Sequence, residues 1–308
     1  SNQGRTVAIR DSKGWAFKKG FRRAMYAGGM VRSRARLEHH FDVERELAKR
    51  IKDSDRASRK KLYTSVYDEL FKRVHDNPQL QEKIDPIKRQ RRIDWQVSHL
   101  RKLVPTSGNF LEIGPGDCAL SIAMCDHAKT VTAVDVSNEI TRRNDLPLNF
   151  SLLISDGTSI ACADSSIDLA YSDQLMEHLH PDDAREQLKE VHRVLKPNGR
   201  YLLITPNSAI GPHDVTKYFD MDSPQGLHLK EYTFAELDEL LAQVGFTKRA
   251  ALVGAMGHYV AIPIAWANRL EALFMKAPRS VRKTFIKSKL VRPVLNLFLG
   301  ARLLAEKA

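Results

Sequence analysis

Residues 109–117 read Asn-Phe-Leu-Glu-Ile-Gly-Pro-Gly-Asp, and the fold is decided there. Phe110, Leu111 and Ile113 look like the end of a buried parallel strand. Gly114 and Gly116 then allow a tight turn in backbone conformations that a Cβ resists. Ala119 to Met124 follows with helical character. Strand, glycine turn and helix place a nucleotide-like ligand at the carboxyl edge of an α/β sheet. The turn is a weak signal alone, but its neighbours support it. Thr130 to Asp135 reads as a second buried strand closed by an acid, where a carboxylate can accept both hydroxyls of a ribose. Phe150 to Ile154 runs into Ser155-Asp156-Gly157, and Ile167 to Tyr171 into Ser172-Asp173. A helix follows with apolar Ala184, Leu188, Val191 and Leu195, then the turn Lys196-Pro197-Asn198-Gly199 and a strand from Tyr201 to Thr205. This alternation predicts a parallel sheet covered on both faces.

Taken in order, Leu-Glu-Ile-Gly-Pro-Gly, Val-Asp-Val, Asp-Gly, Glu-His-Leu and Arg-Val-Leu-Lys-Pro-Asn-Gly resemble the motifs of class I S-adenosylmethionine-dependent methyltransferases, over roughly residues 105–250. A dinucleotide dehydrogenase is the structural rival, but Gly114-Pro115-Gly116-Asp117-Cys118-Ala119 lacks the third glycine of that fingerprint. The resemblance implies a Rossmann-like α/β fold with a seven-stranded, mostly parallel sheet whose last strand is antiparallel. It also implies S-adenosyl-L-methionine as cofactor and S-adenosyl-L-homocysteine as product. On the same resemblance Glu112, Gly114 and Gly116 hold the amino-acid end of the cofactor, Asp135 takes the ribose, and Asp156 with Gly157 sits by the adenine. Ser172 joins this cofactor set. Asp173 lies where the family lines the junction of cofactor and acceptor, or else caps a helix.

The 308 residues are 43% hydrophobic, enough for one sizeable core plus extensions. The three cysteines (Cys118, Cys125, Cys162) have neither metal-type spacing nor the even count of a disulfide framework, so a reducing compartment is expected and no metal-ligating residue is assigned, although Asp214 could orient a histidine or bind a divalent ion. No apolar run is long enough to span a bilayer and no secretory signal is visible, which predicts a cytoplasmic protein, with membrane association confined to the surface. The net charge of +12 is unevenly spread. Residues 1–61 carry 18 Lys/Arg against 7 Asp/Glu, residues 276–308 carry 9 against 1, and the stretch between carries 22 against 29. The basic balance therefore belongs to the ends. A nucleic-acid enzyme would carry a positive stripe beside its site, so nucleic acid is not the expected partner.

Three regions follow. Residues 1–61 form a basic N-terminal extension in which Trp15, Phe17, Phe21 and Tyr26 interleave with cations, either a surface for a membrane or polyanion or an extension facing water. Residues 62–104 form a helical cap. Tyr63 and Tyr67 share one helical face there and either pack or line the cofactor site, as helices before the first strand do in the family. Residues 105–308 form the methyltransferase domain. In it Thr233 and Glu236 make a capping box, Gly245 a C-cap, and Lys248 to Val253 a strand. The last strand is expected at 297–305, after a helical insertion at about 258–292 broken by Pro263, Pro278 and Pro293. The insertion's Ile264, Trp266, Leu270, Leu273 and Phe274 either pack or lie on a membrane surface. The position of the last strand favours packing.

Methyl transfer from a sulfonium is an in-line displacement, and a hydroxyl acceptor must also lose its proton. The loop after the fifth strand holds His213, Asp214 and His228, where acceptors bind in an open α/β sheet. Imidazoles titrating near ~6.5 suit a general base, so His213 and His228 join Asp173 as catalytic candidates. A loop-capping role is the competing reading for each histidine. Glu177-His178 recurs in the class with different substrates, which favours a structural role. Ser172-Asp173-Gln174-Leu175 is not the Asn/Asp-Pro-Pro-aromatic pattern of base amino-methylation. The expected reaction is O-methylation of a sugar, glycan or related small metabolite, and the loop resembles those of bacterial polysaccharide-cluster methyltransferases. The alternatives are an RNA methyltransferase docking through its basic terminal segments, and a binding protein that keeps the fold without catalysis.

Overall fold

The computed structural model describes residues 32–77, 86–137, 146–255 and 258–308. The basic segment up to residue 31 lies outside the described residues. Ser33 starts helix α1 (Arg34–Lys52), its hydroxyl accepting from the Arg36 amide at 3.2 Å. Asp55 starts α2 (Arg56–Arg73) by accepting from the Ser58 amide at 2.8 Å. Such side-chain oxygens satisfy amides that a helix N-terminus leaves unpaired. The expected boundary between residues 61 and 62 falls inside α2, so extension and cap share one helix. Helix α3 (Pro86–Leu100) precedes the first strand.

The sheet begins with β1 (Asn109–Ile113), followed by α4 (Ala119–Met124), β2 (Thr130–Asp135), β3 (Phe150–Ile154), β4 (Ile167–Asp173), α5 (Pro181–Val194) and β5 (Leu195–Thr205). Then come α6 (Phe234–Val244), β6 (Phe246–Ala255), β7 (His258–Pro263), α7 (Ile264–Lys276), α8 (Arg279–Lys287), α9 (Val291–Leu299) and β8 (Ala301–Lys307). The order across the sheet is β3-β2-β1-β4-β5-β8-β6-β7. The first five strands pair in parallel, β8 inserts antiparallel between β5 and β6, and β7 pairs antiparallel with β6. Among the described residues this is a Rossmann-like α/β sheet with eight strands rather than the expected seven. The direction of winding reverses between β1 and β4, so the carboxyl ends of these two strands open the crevice where such folds bind ligands.

Two expectations are corrected. The insertion is not wholly helical, because 258–263 is a strand and Pro263 ends it. The last strand begins at Ala301, and the apolar run before it is α9, which Gly300 terminates by donating its amide to Asn296. The Lys196–Gly199 segment lies within β5, with Asn198 at φ 62°. The capping box of Thr233 and Glu236 and the αL cap at Gly245 (φ 115°) bound α6 as expected.

Side chains alternate across each strand and divide the core. Leu111, Ile113 and Val134 pack with Val43, Leu47, Ile51, Val66 and Leu70 of α1 and α2 and with α5 and α6. Phe110, Val131, Leu169 and Tyr171 pack on the opposite face against Leu100 and Val104, Leu120 and Met124. The N-terminal helices are thus part of the core. A buried bidentate pair holds them: Arg59 donates to Asp183 of α5 at 2.6 and 2.9 Å, and the Tyr63 hydroxyl donates to the same carboxylate at 2.8 Å.

Candidate active site

A cavity of about 280 Å³ opens at the carboxyl ends of β1, β2 and β3, under α1 and α2. Gly114 (φ 69°) and Gly116 (φ 61°) form its turn, in the left-handed region that glycine enters without strain. The Gly116 amide donates to Asp135 Oδ2 at 3.3 Å and the Ser137 amide to Oδ1 at 3.1 Å, so the Asp135 carboxylate is aimed along the turn into the cavity. Burial pushes the Asp135 carboxyl upward, against the lowering effect of the backbone amides of Ser137, Val136 and Gly116. Across the cavity lies Gly157 (φ 90°), where a Cβ would stand 2.8 Å from Tyr63 Cδ2. Tyr63 and Tyr67 both line the space. A Cβ at Gly114 or Gly157 would press on Leu175 or Tyr63, which line the same space, and the Asp135 carboxylate faces it as an acceptor that ribose hydroxyls could use. The residues therefore fit the cofactor that the motifs imply.

The other expected cofactor residues are placed elsewhere. Asp156 does not line the cavity. Its oxygens accept from the Thr158 and Ser159 amides at 2.9 and 2.8 Å and from Lys60. Despite its partial burial, Lys60 and these amides hold its carboxyl well below the usual range. Asp156 shapes the turn that presents Gly157. Ser172 is buried and shares a 2.7 Å hydrogen bond with the Tyr201 hydroxyl, outside the cavity lining. Glu112 projects to the opposite sheet face, bonded by the Ser121 hydroxyl. Burial raises it to about 8, which keeps it protonated at neutral pH. Asp173 projects to that same face, accepting from the Tyr171 hydroxyl at 3.2 Å and Gln96 Nε2 at 3.3 Å. Strand alternation separates Asp173 from the cavity, and its carboxyl is raised chiefly by burial.

The loop after β5 brings both candidate histidines onto one residue that the sequence did not single out. Glu231 accepts from His213 Nδ1 at 3.1 Å, from the His213 amide at 2.7 Å and from His228 Nδ1 at 2.8 Å. Burial opposes its charge, but the two imidazoles hold the Glu231 carboxyl down to about 2. Asp214 ties the loop's ends, accepting from the Thr216 and Gly226 amides at 3.0 and 2.8 Å. Glu44 of α1 accepts from the Leu227 amide at 3.2 Å and docks the loop on the N-terminal helices.

His178 connects this loop to the cavity. It lines the cavity and packs edge-on against His228 with ring centroids 4.9 Å apart. Its Nδ1 lies 3.0 Å from the Leu227 carbonyl oxygen, which can only accept, so Nδ1 carries the proton and Nε2 holds a lone pair. Burial together with the neighbouring His228 pushes the His178 imidazole down to about 3. The same logic at Glu231 leaves His228 Nε2 as that residue's uncommitted nitrogen. Burial works against a charge on His228, but Glu231, Glu177 and Asp214 raise its pKa above the ordinary value. Glu177 accepts from Thr205 Oγ1 at 2.9 Å through Oε2, while its buried Oε1 has no hydrogen-bond partner among the described residues and lies 3.9 Å from His178 Nε2. Burial raises its carboxyl to about 7. Donor atoms of Glu177, His178 and His228 lie within 4.8 Å of one another and could close on a divalent cation. His213 and His228 do not themselves line the cavity; His178, which does, packs against His228.

Residues 111–203 match the family described as "Methyltransferase domain". A probable S-adenosylmethionine-dependent methyltransferase of Mycolicibacterium smegmatis is 37% identical over 84 residues, which are 27% of this chain and 30% of that protein. The chain thus spans less than a third of that relative's length. Among solved structures, a Haloferax volcanii methyltransferase in complex with the Trm112 methyltransferase activator is 16% identical, with a TM-score of 0.48 over 71% of this chain and 91% of that one. A Haemonchus contortus phosphoethanolamine N-methyltransferase, bound to S-adenosylhomocysteine, is 14% identical with a TM-score of 0.45 over 70% of this chain and 52% of that one. Among the described residues no helix is long and apolar enough to cross a membrane.

Proposed function

We propose that this chain, whose residues 111–203 form a class I S-adenosylmethionine-dependent methyltransferase domain, methylates a hydroxyl of a sugar, glycan or related small metabolite. The observation that carries the reading is the continuity from cavity to base: Asp135 and the glycine turn on one side, then His178, His228 and Glu231. When bound, S-adenosylmethionine supplies a methyl on a sulfonium that needs no further activation. Gly114, Gly116 and Gly157 would let it approach the backbone, and Asp135 would hold its ribose. The acceptor oxygen must reach the methyl in line with the departing sulfur. His228 Nε2 would take the proton of the acceptor hydroxyl as its oxygen is methylated. Glu231 orients His228 through Nδ1 and stabilises the imidazolium that results.

The net negative middle of the chain supports a small acceptor over nucleic acid. The RNA reading rests only on the basic ends and predicts RNA binding with a steep salt dependence. A second reading of the histidine cluster has its own support in the orphaned Glu177 Oε1: a divalent cation held by Glu177, His178 and His228 would activate the acceptor hydroxyl instead. The test is methyl transfer to a panel of hydroxylated sugars, with cofactor binding measured by calorimetry. His228→Ala should lower kcat by ~10²–10⁴-fold with unchanged affinity for S-adenosylhomocysteine. Full activity in the variant removes the base. Activity that chelators abolish and divalent ions restore assigns the cluster to a cation.

A further inference from the structure

Helices α7, α8 and α9 present apolar residues to solvent at helical spacing. On α7 these are Trp266, Leu270 and Leu273, with Trp266 58% and Leu273 68% exposed. On α8 they are Val281 and Phe285, and on α9 Val294 and Phe298, each pair four residues apart and so on one face. Leu290, just before α9, is 87% exposed. Helix α9 packs on both α7 and α8, so the three stripes belong to one unit. Scattered exposed apolar residues are ordinary, but three consecutive helices each offering a stripe mark a contact surface.

Charge selects the occupant. Between residues 264 and 299 the sequence holds eight Lys/Arg and one acid, Glu271. Glu271 is buried on the inner side of α7, accepting from Asn207 Nδ2 at 2.7 Å and from the Phe234 amide at 3.0 Å, and offers nothing outward. Arg279 and Lys283 pair with Asp222 and Asp220. Lys276, Lys287, Lys289 and Arg292 are exposed beside the apolar stripes. A second copy seated on this face would bring like charges together. Residues 1–31, with seven Lys/Arg and one acid, offer no complement either. An anionic lipid surface satisfies both features, taking the apolar stripes below its headgroups and the cations at their level.

We infer that α7–α9 form an interfacial docking surface for anionic bilayers, with the helices lying on the membrane rather than crossing it. Their inner side holds Asn207 and the start of α6 through Glu271, so the docked face backs onto the loop system that carries His213 and His228. The test is flotation of the 308-residue chain with vesicles of phosphatidylcholine alone or mixed with phosphatidylserine. Binding is expected only to the mixed vesicles and should weaken as salt rises. Phe285→Ser should weaken binding roughly tenfold or more. Lys287→Glu with Lys289→Glu should cost about fivefold for each charge. Vesicle binding should shift Trp266 emission to the blue, and Trp266→Phe should remove that component. All these residues are solvent-exposed, so cofactor affinity should not change. Absence of binding, equal binding to both vesicle types, or a doubled mass by light scattering that Phe285→Ser reverses would overturn the inference.

Discussion

Replacing Glu231 by Gln removes one charge from the centre of the candidate catalytic cluster while keeping the side chain's shape. Glu231 Oε1 accepts from the His213 amide and from His228 Nδ1, and Oε2 accepts from His213 Nδ1. An amide oxygen in the Oε1 position preserves the first two bonds. The amide nitrogen then faces His213, which can turn its lone pair toward it by changing tautomer. What is lost is the charge-assisted part of the bond to His228, roughly 1.5–3 kcal/mol for a hydrogen bond to an ionised group. Since about 1.4 kcal/mol is one pH unit, the acid limb of the kcat/KM profile should move down by about one to two units. The sign follows from the base role: His228 must be neutral to take the proton, and Glu231 stabilises its protonated form. On the high-pH plateau, loss of the same stabilisation of the nascent imidazolium should lower kcat roughly 10- to 100-fold.

Stability supplies an independent check on the same substitution. The folded Glu231 carboxyl stands at about 2, below its ordinary 4.5. A depressed carboxyl contributes stability that is present above pH 4.5 and lost as pH falls through 2, at most about 3 kcal/mol here. Glu231→Gln should therefore melt below the parent near neutrality, and the gap should close under acid. Cofactor affinity should hold, because Glu231 is absent from the cavity lining. An unchanged plateau, or an acid limb that moves upward, defeats the assignment of His228 as base. Equal loss of cofactor binding would instead show that the loop merely supports the cavity.

The remaining predictions concern the cavity and the opposite sheet face. Asp135→Ala should weaken S-adenosylhomocysteine binding about 10- to 100-fold by calorimetry, with the pH limb of any residual turnover unmoved. Gly157→Val should destabilise the fold by roughly 1–3 kcal/mol in thermal unfolding and abolish cofactor binding, because it strains φ 90° and drives a Cβ into Tyr63. Gly116→Ala, with open space at its Cβ but φ 61°, should cost only about 1 kcal/mol. Glu112 has a folded pKa raised to about 8, so its protonated form's advantage is present below pH 4.5 and lost as pH rises through 8. The cofactor-free protein should accordingly lose up to ~1.4 kcal/mol per pH unit across that window, and Glu112→Gln should flatten the slope.

What could be read from the sequence divides by the range of the interactions involved. Strands β1 to β5 were legible because a strand buried on both faces is a short apolar run, and the glycines and acids at their ends follow from local backbone need. The ends of α6 were legible because Thr233, Glu236 and Gly245 act on amides and carbonyls within one turn. The C-terminal part was legible only in places: Lys248–Val253 falls within β6 and 301–305 within β8 as expected. A short apolar run does not distinguish helix from strand, so Leu297–Leu299, the end of α9, read as the start of the last strand and Tyr259–Ile262 as helical insertion. The site divides the same way. Gly114, Gly116, Asp135 and Gly157 owe their places to strand ends and reach the cavity as expected. Asp173 sat at the right strand end but on the wrong face, a difference of one residue in a period of two.

The parts that were not legible depend on pairing across long sequence separations. Arg59 and Asp183 are 124 residues apart and Glu44 and Leu227 183 apart, yet these bonds bring Tyr63 and Tyr67 over the cavity and fix the histidine loop beneath α1. Glu231 follows His228 by three residues, a spacing visible in the sequence, but nothing local shows that His213 arrives on the same carboxylate from 18 residues away. His178 was discounted because its Glu-His pair accompanies many substrates. The structure places His178 in the cavity lining. A residue can serve many acceptors if it lines the part of the site next to the cofactor, which does not vary with the acceptor. Its tautomer, set by the Leu227 carbonyl, leaves Nε2 turned toward the cluster, and this is a tertiary fact. Chemistry specific to one acceptor should then be sought beyond His178, among the side chains that the loop after β5 adds around His228.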